Sequence, residues 1–437
     1  MSTWTLVHGG VEQTLAAWGI TSRASLVFCS GESDLFSFDV RPADILAEPP
    51  FALDDAITLK KDGVIWFVGF VREVPAAGSA KAERQSYVVK NFWDRLERLV
   101  FQQTRPIVST DFSTTSQLPT SDIILCQDAD PTTGVYTKVD AGAQIDLILA
   151  YAAAHGVTFS YSRSYTAPTP PSESGRDLSC AAALRRMLSW SPDVVTWVTY
   201  TSGSPVLHMN QRTALTQIPI DLSSAAPESF QLSRRDDLVP AGVVFNLLWQ
   251  ETNPADNLPY TRLTVQTSGA TSGVGVIINT IDTPYVQDGT ASEPMPTGPA
   301  LSGLNFAQYF YAALAVVFFD GSIIFKAAEV PGTIRPGHTI NFTGTTRTGW
   351  STAKALVQQV TEDIFSGRTE IRVGPNHGLS GPDLVALAFG RAKELRKTPP
   401  LPPPQPPNSN GGSSGAGCIS LDLCDGTTIR VGVCSNH

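Results

Sequence analysis

Two stretches of this chain read as editions of one pattern, and that duplication constrains the fold more than any other feature. Aligning residues 54–91 with residues 336–375 sets Ile57 against Ile340 and brings Trp66 within one residue of Trp350. Each stretch is a run of short alternating segments, as half-buried strands are, and each hands over to a helical pattern. The first helix is read over residues 92–100. In the second copy Thr369 to Val373 alternates and residues 374–378 form a Gly/Pro turn. Ser380 with Asp383 then forms a capping-box pattern for a helix over residues 383–396, with Leu384, Leu387, Ala388 and Leu395 on one face. Two β-modules, each closed by a helix, are expected.

At 437 residues the chain exceeds one ordinary core and implies several domains. Its 35 Gly and 32 Pro, with 42% apolar and 16% charged residues, favour a turn-rich, folded β protein over a disordered one. The net charge of -9 argues against a surface built to grip phosphate. The N-terminal sequence MSTWTLVHGGVEQ has no basic start followed by an apolar stretch, so no signal peptide is read. The longest apolar run, residues 310–319, is about half of what a spanning helix needs, and no stable membrane insertion is expected. A soluble protein made in a cytoplasm follows. Cys29, Cys126 and Cys180 stand singly among apolar neighbours and read as buried thiols.

Taken in order, residues 1–105 form a first β-domain. Strands are read at 25–29, 36–40, 56–59, 64–71 and 85–90, with a turn at Lys61-Asp62-Gly63. Trp66 and Phe67 read as barrel packing, not as a ligand platform. Residues 106–225 form an α+β insertion. It has a helix carrying Ile145, Ile148, Leu149 and Ala152, and a strand with Val157, Phe159 and Tyr161. A second helix, capped by Asp177, buries Cys180, Leu184, Met187 and Leu188, and a hairpin of 194–200 with 206–209 follows. Arg185 and Arg186 read as a solvated face. Residues 226–397 form the second β-domain, with an inserted loop and helix over 251–320. Strands are read at 243–249, 262–266 and from 323, and residues 267–303 form a Thr/Ser/Gly/Pro loop. The helix over 305–317 is apolar nearly all round and is expected to be clamped between domains.

No convincing active site emerges. There is no nucleophile elbow, no H-E-x-x-H, no Walker loop and no EF-hand sequence. Gly269, Gly273 and Gly275 read as turn residues, and His377 as part of a turn beside Pro375. Asp236 and Asp237 follow Arg234 and Arg235 and point apart if on a strand. The expectation is no catalytic residue and no bound cofactor in the body of the chain.

Residues 398–417 are a Pro-rich then Gly/Ser-rich linker, stiff in its first half and flexible in its second. The tail, residues 418–437, is too short to hold a fold by its own core. Cys418, Cys424, Cys434 and His437 offer four ligands on two expected strands, 419–423 and 428–433. That number suits a zinc ion or an iron-sulfur cluster, although C-x5-C-x9-C-x2-H is not a standard spacing. A disulfide, and free thiols packed on a partner, are the other two readings.

Four segments in order resemble tailed-bacteriophage baseplate or tail-tip hub proteins. They are DGVIWFVGFVREV with SYVVKNFWDRLERLVFQQ, then LSCAAALRRMLSWSPDVVTWVTYTSGSPVLHM, then LSRRDDLVPAGVVFNLLW, then GRTEIRVGPNHGLSGPDLVALAFGR. The resemblance covers residues 1–397 and extends to the central hub of contractile baseplates and the base of type VI secretion spikes. It implies a β-rich α+β chain with two related tube-type β-barrel domains, helix caps and an α+β insertion domain. It also implies a homotrimer in which six barrels mimic a six-fold ring. The implied setting is the virion tail tip, assembled in the bacterial host cytoplasm. The implied partners are a distal tail protein ring, a tape-measure protein and tail fibre or tip proteins, with DNA passing through the channel without specific binding. A channel lining that is neutral or acidic is expected. The competing class is a virion-borne or secreted cell-wall hydrolase built on β-domains. The long loop at 267–303 and the cysteine tail match nothing in the resemblance.

Overall fold

The computed structural model describes residues 2–41, 50–74, 85–108, 115–129, 136–170, 173–200, 203–223, 227–236, 239–252, 259–282, 305–316, 318–326, 333–346, 349–375, 419–422 and 428–431. The chain divides into two compact units, Met1–Leu395 and Arg396–His437. No described helix is long and apolar enough to cross a membrane.

The first part of the larger unit is β1 (Trp4–His8), β2 (Val11–Thr14), β3 (Ile20–Cys29), β4 (Leu35–Val40), β5 (Ala56–Lys61), β6 (Val64–Glu73), β7 (Gln85–Lys90) and α1 (Phe92–Arg98). The turn between β5 and β6 places Asp62 and Gly63 at φ 52° and 80°, the left-handed pair that a two-residue hairpin requires. Asn91 caps α1 by accepting from the Trp93 amide. Trp66 is the extra residue of a bulge, since Leu59 faces Phe67 while Lys60 faces Ile65. Phe67 is fully buried and Trp66 packs against the core, so both serve packing.

The insertion is β8 (Gln103–Val108), β9 (Thr115–Thr120), β10 (Asp122–Leu125), β11 (Gln127–Ala129), β12 (Tyr136–Lys138), α2 (Ala141–Ala154), β13 (Ser160–Ser164), β14 (Glu173–Arg176), α3 (Cys180–Leu188), β15 (Val194–Thr199) and β16 (Val206–Gln211). Of the expected buried stripe of α3, Cys180, Leu184 and Met187 are fully covered, while Leu188 is half-buried against the core. Its cap is Ser179, whose hydroxyl accepts from the Ala182 amide; Asp177 instead sits two residues earlier at φ 50°. The strand expected from Val157 begins at Ser160 and lies parallel to β16.

Next come β17 (Thr216–Asp221), β18 (Ser229–Arg235), β19 (Gly242–Thr252), β20 (Pro259–Gly269), β21 (Val276–Asp282), α4 (Phe306–Leu314), β22 (Phe318–Phe325), β23 (His338–Thr343), β24 (Ala355–Asp363) and β25 (Thr369–Val373). Gly269, Gly273 and Gly275 do turn the chain, but between two strands: β21 pairs parallel with β19, inside the segment read as loop. Helix α4 is held as its composition implies. Phe310 packs on Phe245 of β19 with ring centroids 5.0 Å apart, and Phe306 on Trp190 of the insertion at 5.3 Å. The helix expected over 383–396 lies outside the described residues.

The duplication is visible in the order of pairing. In the first module β3 pairs with β4, β4 with β7, β7 with β6 and β6 with β5, all antiparallel. In the second module β18 pairs with β22, β22 with β25, β25 with β24 and β24 with β23, again all antiparallel. Ile57 on β5 and Ile340 on β23 hold equivalent places and are both fully buried. The tryptophans do not correspond. Trp350 lies in the β23–β24 connection and packs on Phe230, Phe319 and Phe342.

Two separately closed barrels are not resolved. One sheet of 13 strands runs through both modules, because the far half of β24, beyond its contact with β23, is taken by β3. The sheet is nevertheless strongly curled. β6 and β24 stand four strand spacings apart, about 19 Å if flat. Yet Trp66 Nε1 donates to Glu362 Oε2 at 2.9 Å, which no flat sheet permits. The result is a β-rich α+β fold built on a large half-barrel. In the smaller unit β26 (Ile419–Asp422) and β27 (Thr428–Val431) form an antiparallel pair.

Candidate assembly interface

The turn between β3 and β4, residues 30–34, is where three parts of the larger unit meet. Asp34 is 1% exposed. Its Oδ1 accepts from the Cys29 amide at 2.8 Å, and its Oδ2 from the Tyr200 hydroxyl at 2.5 Å. Asn91 Nδ2 donates to the same hydroxyl at 2.9 Å, while Asn91 Oδ1 caps α1 and accepts from Ser33. Ser30 adds two links, its hydroxyl to the Thr196 carbonyl at 3.0 Å and its amide to the Gln358 carbonyl at 2.9 Å. The turn therefore bonds the insertion on one side and β24 on the other. Burial pushes the Asp34 carboxyl up to about 7 against the opposing pull of its hydrogen bonds, and burial beside Asp34 holds the Tyr200 phenol well above its usual range.

A second cluster closes the curl from the other module. Arg335 Nη1 meets Glu362 Oε1 at 2.7 Å, and the guanidinium lies between the rings of Phe28 and Trp66, 4.1 and 4.3 Å from their centres. Lys61 Nζ sits 4.5 Å over Trp66 and 5.2 Å over Trp4. A cleft of about 590 Å³ opens beside these residues, floored by Trp4, Trp66 and Phe365. Its cations face indole rings and Glu362, an arrangement that packs two modules together.

Among the described residues no three His, Cys, Asp or Glu side chains come together as a metal site. Burial pushes the thiols of Cys29 and Cys180 up to about 12 and that of Cys126 higher still, which makes them inert. Asp236 pairs with Arg234 at 2.9 Å, while Asp237 and His377 lie outside the described residues. Arg185 does more than face solvent: it reaches Glu97 at 2.8 Å and the Gly31 carbonyl, clamping α3 to α1 and to the Asp34 turn. Arg186 reaches the Ser174 carbonyl at 3.4 Å. Cys418, Cys424, Cys434 and His437 lie outside the described residues. Sequence reasoning missed Asp34 and Tyr200, which stand 166 residues apart and gave no common signal.

What the arrangement offers is edges. The outer edge of β3 is engaged on β24, Gln359 opposite Cys29 and Thr361 opposite Val27. β18 holds the same place in the second module, and no described strand covers its outer edge.

No family model matches the chain, and no curated protein matches it. Among solved structures it is similar to a tail protein from Neisseria meningitidis MC58 (12% identity, TM-score 0.49), with 88% of this chain and 99% of that one covered. It is similar to a 43 kDa tail protein of prophage MuSo2 from Shewanella oneidensis (11%, TM-score 0.49), with coverage of 88% and 99%. It is also similar to an E. coli component of the type VI secretion system (9%, TM-score 0.46), with coverage of 85% and 76%. At TM-scores below 0.5 these likenesses establish neither fold nor function.

Proposed function

We propose that the chain is a structural, non-enzymatic subunit of a phage tail-tip hub, acting as a homotrimer. The observation that carries this reading is the repeated pairing order, β3-β4-β7-β6-β5 and β18-β22-β25-β24-β23. A chain with two equivalent modules converts three-fold symmetry into six equivalent positions, which is what an adaptor between a six-fold ring and three-fold tip proteins requires. The four motif segments that resemble hub proteins supply the setting. The neighbours would be a distal tail ring above and fibre or tip proteins below. The ring would leave a channel for the tape-measure protein and DNA, with a lining low enough in Lys and Arg for DNA to slide. Cys418, Cys424, Cys434 and His437 would hold the tail through a metal, through a cross-link, or as free thiols packed on a partner.

Native mass spectrometry and electron microscopy of the purified chain test the reading. Three chains of 46.8 kDa give about 140 kDa, and class averages should show a pseudo-six-fold ring. A monomer that digests cell-wall material would overturn it in favour of a hydrolase.

A further inference from the structure

The cleft beside Trp66 holds two side chains that the packing of the modules does not use. Lys61 ends β5 directly opposite Trp4 of β1, so the two share one face of the sheet. Trp66 joins them through the bulge of β6: an unbroken ladder would set one residue opposite Leu59, and the bulge sets two, Trp66 and Phe67. The Lys61 ammonium therefore stands over both indoles, 4.5 Å from the centre of Trp66 and 5.2 Å from that of Trp4. Among the described residues it meets no carboxylate, because those around it are engaged elsewhere. Glu12 is taken by Lys60 at 2.6 Å, and Glu362 by Arg335 at 2.7 Å and Trp66 at 2.9 Å. The second unused side chain is Phe365. Asp363 Oδ1 accepts from the Phe365 and Ser366 amides at 3.0 Å each, which fixes the turn between β24 and β25. The Phe365 ring, 46% exposed, is thereby held at the wall of the same cleft, against no other ring.

We propose that this cleft binds a peptide segment of a partner protein in which an acidic residue stands beside an aromatic one, the carboxylate on Lys61 and the ring on Phe365. The volume, about 590 Å³, lies within the ~300–1,000 Å³ range of ligand sites. A lysine head has donors only, so what Lys61 lacks is an anionic oxygen. A charge-assisted bond made against two indole rings is stronger than one in open water. Polyanions fit poorly: among the described residues of the cleft Lys61 is the one free cation, and further phosphates would meet Asp363 and Glu362. Sugars fit poorly as well, because Trp66 already carries Lys61 and Arg335 over its ring and offers no open face for stacking. Phe365 remains as the free apolar surface, which an aromatic side chain covers best. This role is independent of the number of chains in the assembly.

The test is calorimetric titration of the full-length chain with the end-capped peptide Gly-Ser-Asp-Phe-Ser-Gly. The controls are the same peptide with Asn for Asp, the same with Ala for Phe, and phenylacetate. The Asp-Phe peptide should saturate by about 5 mM, where a site with a dissociation constant of about 1 mM is mostly filled. Removing the carboxylate from the peptide, or the ammonium by Lys61→Met, should each weaken binding by about tenfold. The Asn peptide should bind the parent and Lys61→Met equally, since the pair is already broken. Methionine keeps an unbranched stem over the indoles, and that equality shows the cleft intact. Phe365→Ser should weaken the Asp-Phe peptide and leave the Ala peptide unchanged. Failure to saturate, equal binding of the Asp and Asn peptides, or a Lys61→Met loss that persists with the Asn peptide overturns the proposal. Phenylacetate binding as tightly as the peptide overturns it in favour of a small aromatic acid.

Discussion

Replacing Asp34 with Asn should make the chain gain stability, relative to the unsubstituted protein, as pH rises. The carboxyl is carried from 3.8 in its ordinary state to about 7 in the fold, with burial as the leading cause. Between pH 4 and 7 the folded chain keeps a proton on Asp34 that the unfolded chain has released. Stability from this group is therefore fully present below about pH 4, falls by about 1.4 kcal/mol per pH unit through that window, and is level above 7. The whole effect is about 4 kcal/mol, of which the two units between pH 5 and 7 account for about 3.

Asparagine has no proton to release and keeps the geometry in part. Its Oδ1 can still accept from the Cys29 amide, but an amide nitrogen opposite Tyr200 takes away the acceptor of that hydroxyl, a loss of about 1 kcal/mol at every pH. Urea unfolding at pH 5 and pH 8, at one protein concentration and followed by circular dichroism, should show the free-energy difference between variant and parent moving by about 3 kcal/mol in the variant's favour. The titratable or charged groups facing Asp34 are Tyr200, the Cys29 thiol and, at longer range, Arg335; the phenol and the thiol are both held above their ordinary alkaline ranges, so neither mimics the effect between pH 5 and 8. An unchanged difference at the two pH values would refute the reasoning, because it would mean that Asp34 is ionised throughout.

Arg212→Ala should destabilise by about 3–5 kcal/mol, since it strands Asp193, its partner at 3.2 Å, in a site where both side chains are at least nine-tenths buried. It also removes the bond from Arg212 to the Ala313 carbonyl, so loss of α4 packing should appear as faster exchange of amides 306–314. Gly337→Ala should cost roughly 2–4 kcal/mol: the residue is at φ 87°, and an added Cβ would lie 2.2 Å from the Trp197 ring. Pairing it with Trp197→Ala should recover part of that loss in a double-mutant cycle, as judged by urea midpoints. For the tail, anaerobically prepared protein should show a bound metal or cluster, a disulfide, or thiols shielded by a partner; three thiols alkylated at the rate of a model peptide, with no metal by elemental analysis, would rule out both staples.

The elements legible in the sequence are those whose burial is local. β7 alternates Tyr87 and Val89 inward, and the helices α1 and α4 carry apolar faces three and four residues apart, so each could be read without knowing its neighbours. β2 was not legible, because all of Val11–Thr14 is exposed and its only reason to be a strand is the edge of β1. β21 was missed for a different reason: Val276, Ile277, Ile278 and Ile281 are a local strand signal, but they stand in a stretch whose flanking Ser, Thr, Gly and Pro made it read as loop, and the strand pairs parallel with β19. Asp34 in the sequence SGESD reads as an ordinary turn residue. What buries it is Tyr200, a contact between domains that no local pattern encodes.

The join between β24 and β3 explains why two modules appear as one sheet. A seam made of side chains would need its own complementary surface, whereas this one is made of the same backbone bonds that build each module. Such a seam can be repeated by any copy of the chain without new chemistry, because a free edge is a template for the next strand. That property is also a hazard, since a head-to-tail contact grows without limit unless its rotation closes. On β18 the two arginines are already paired within the chain, Arg234 with Asp236 at 2.9 Å and Arg235 with Asp320 at 3.2 Å, so the edge carries little unpaired charge of its own.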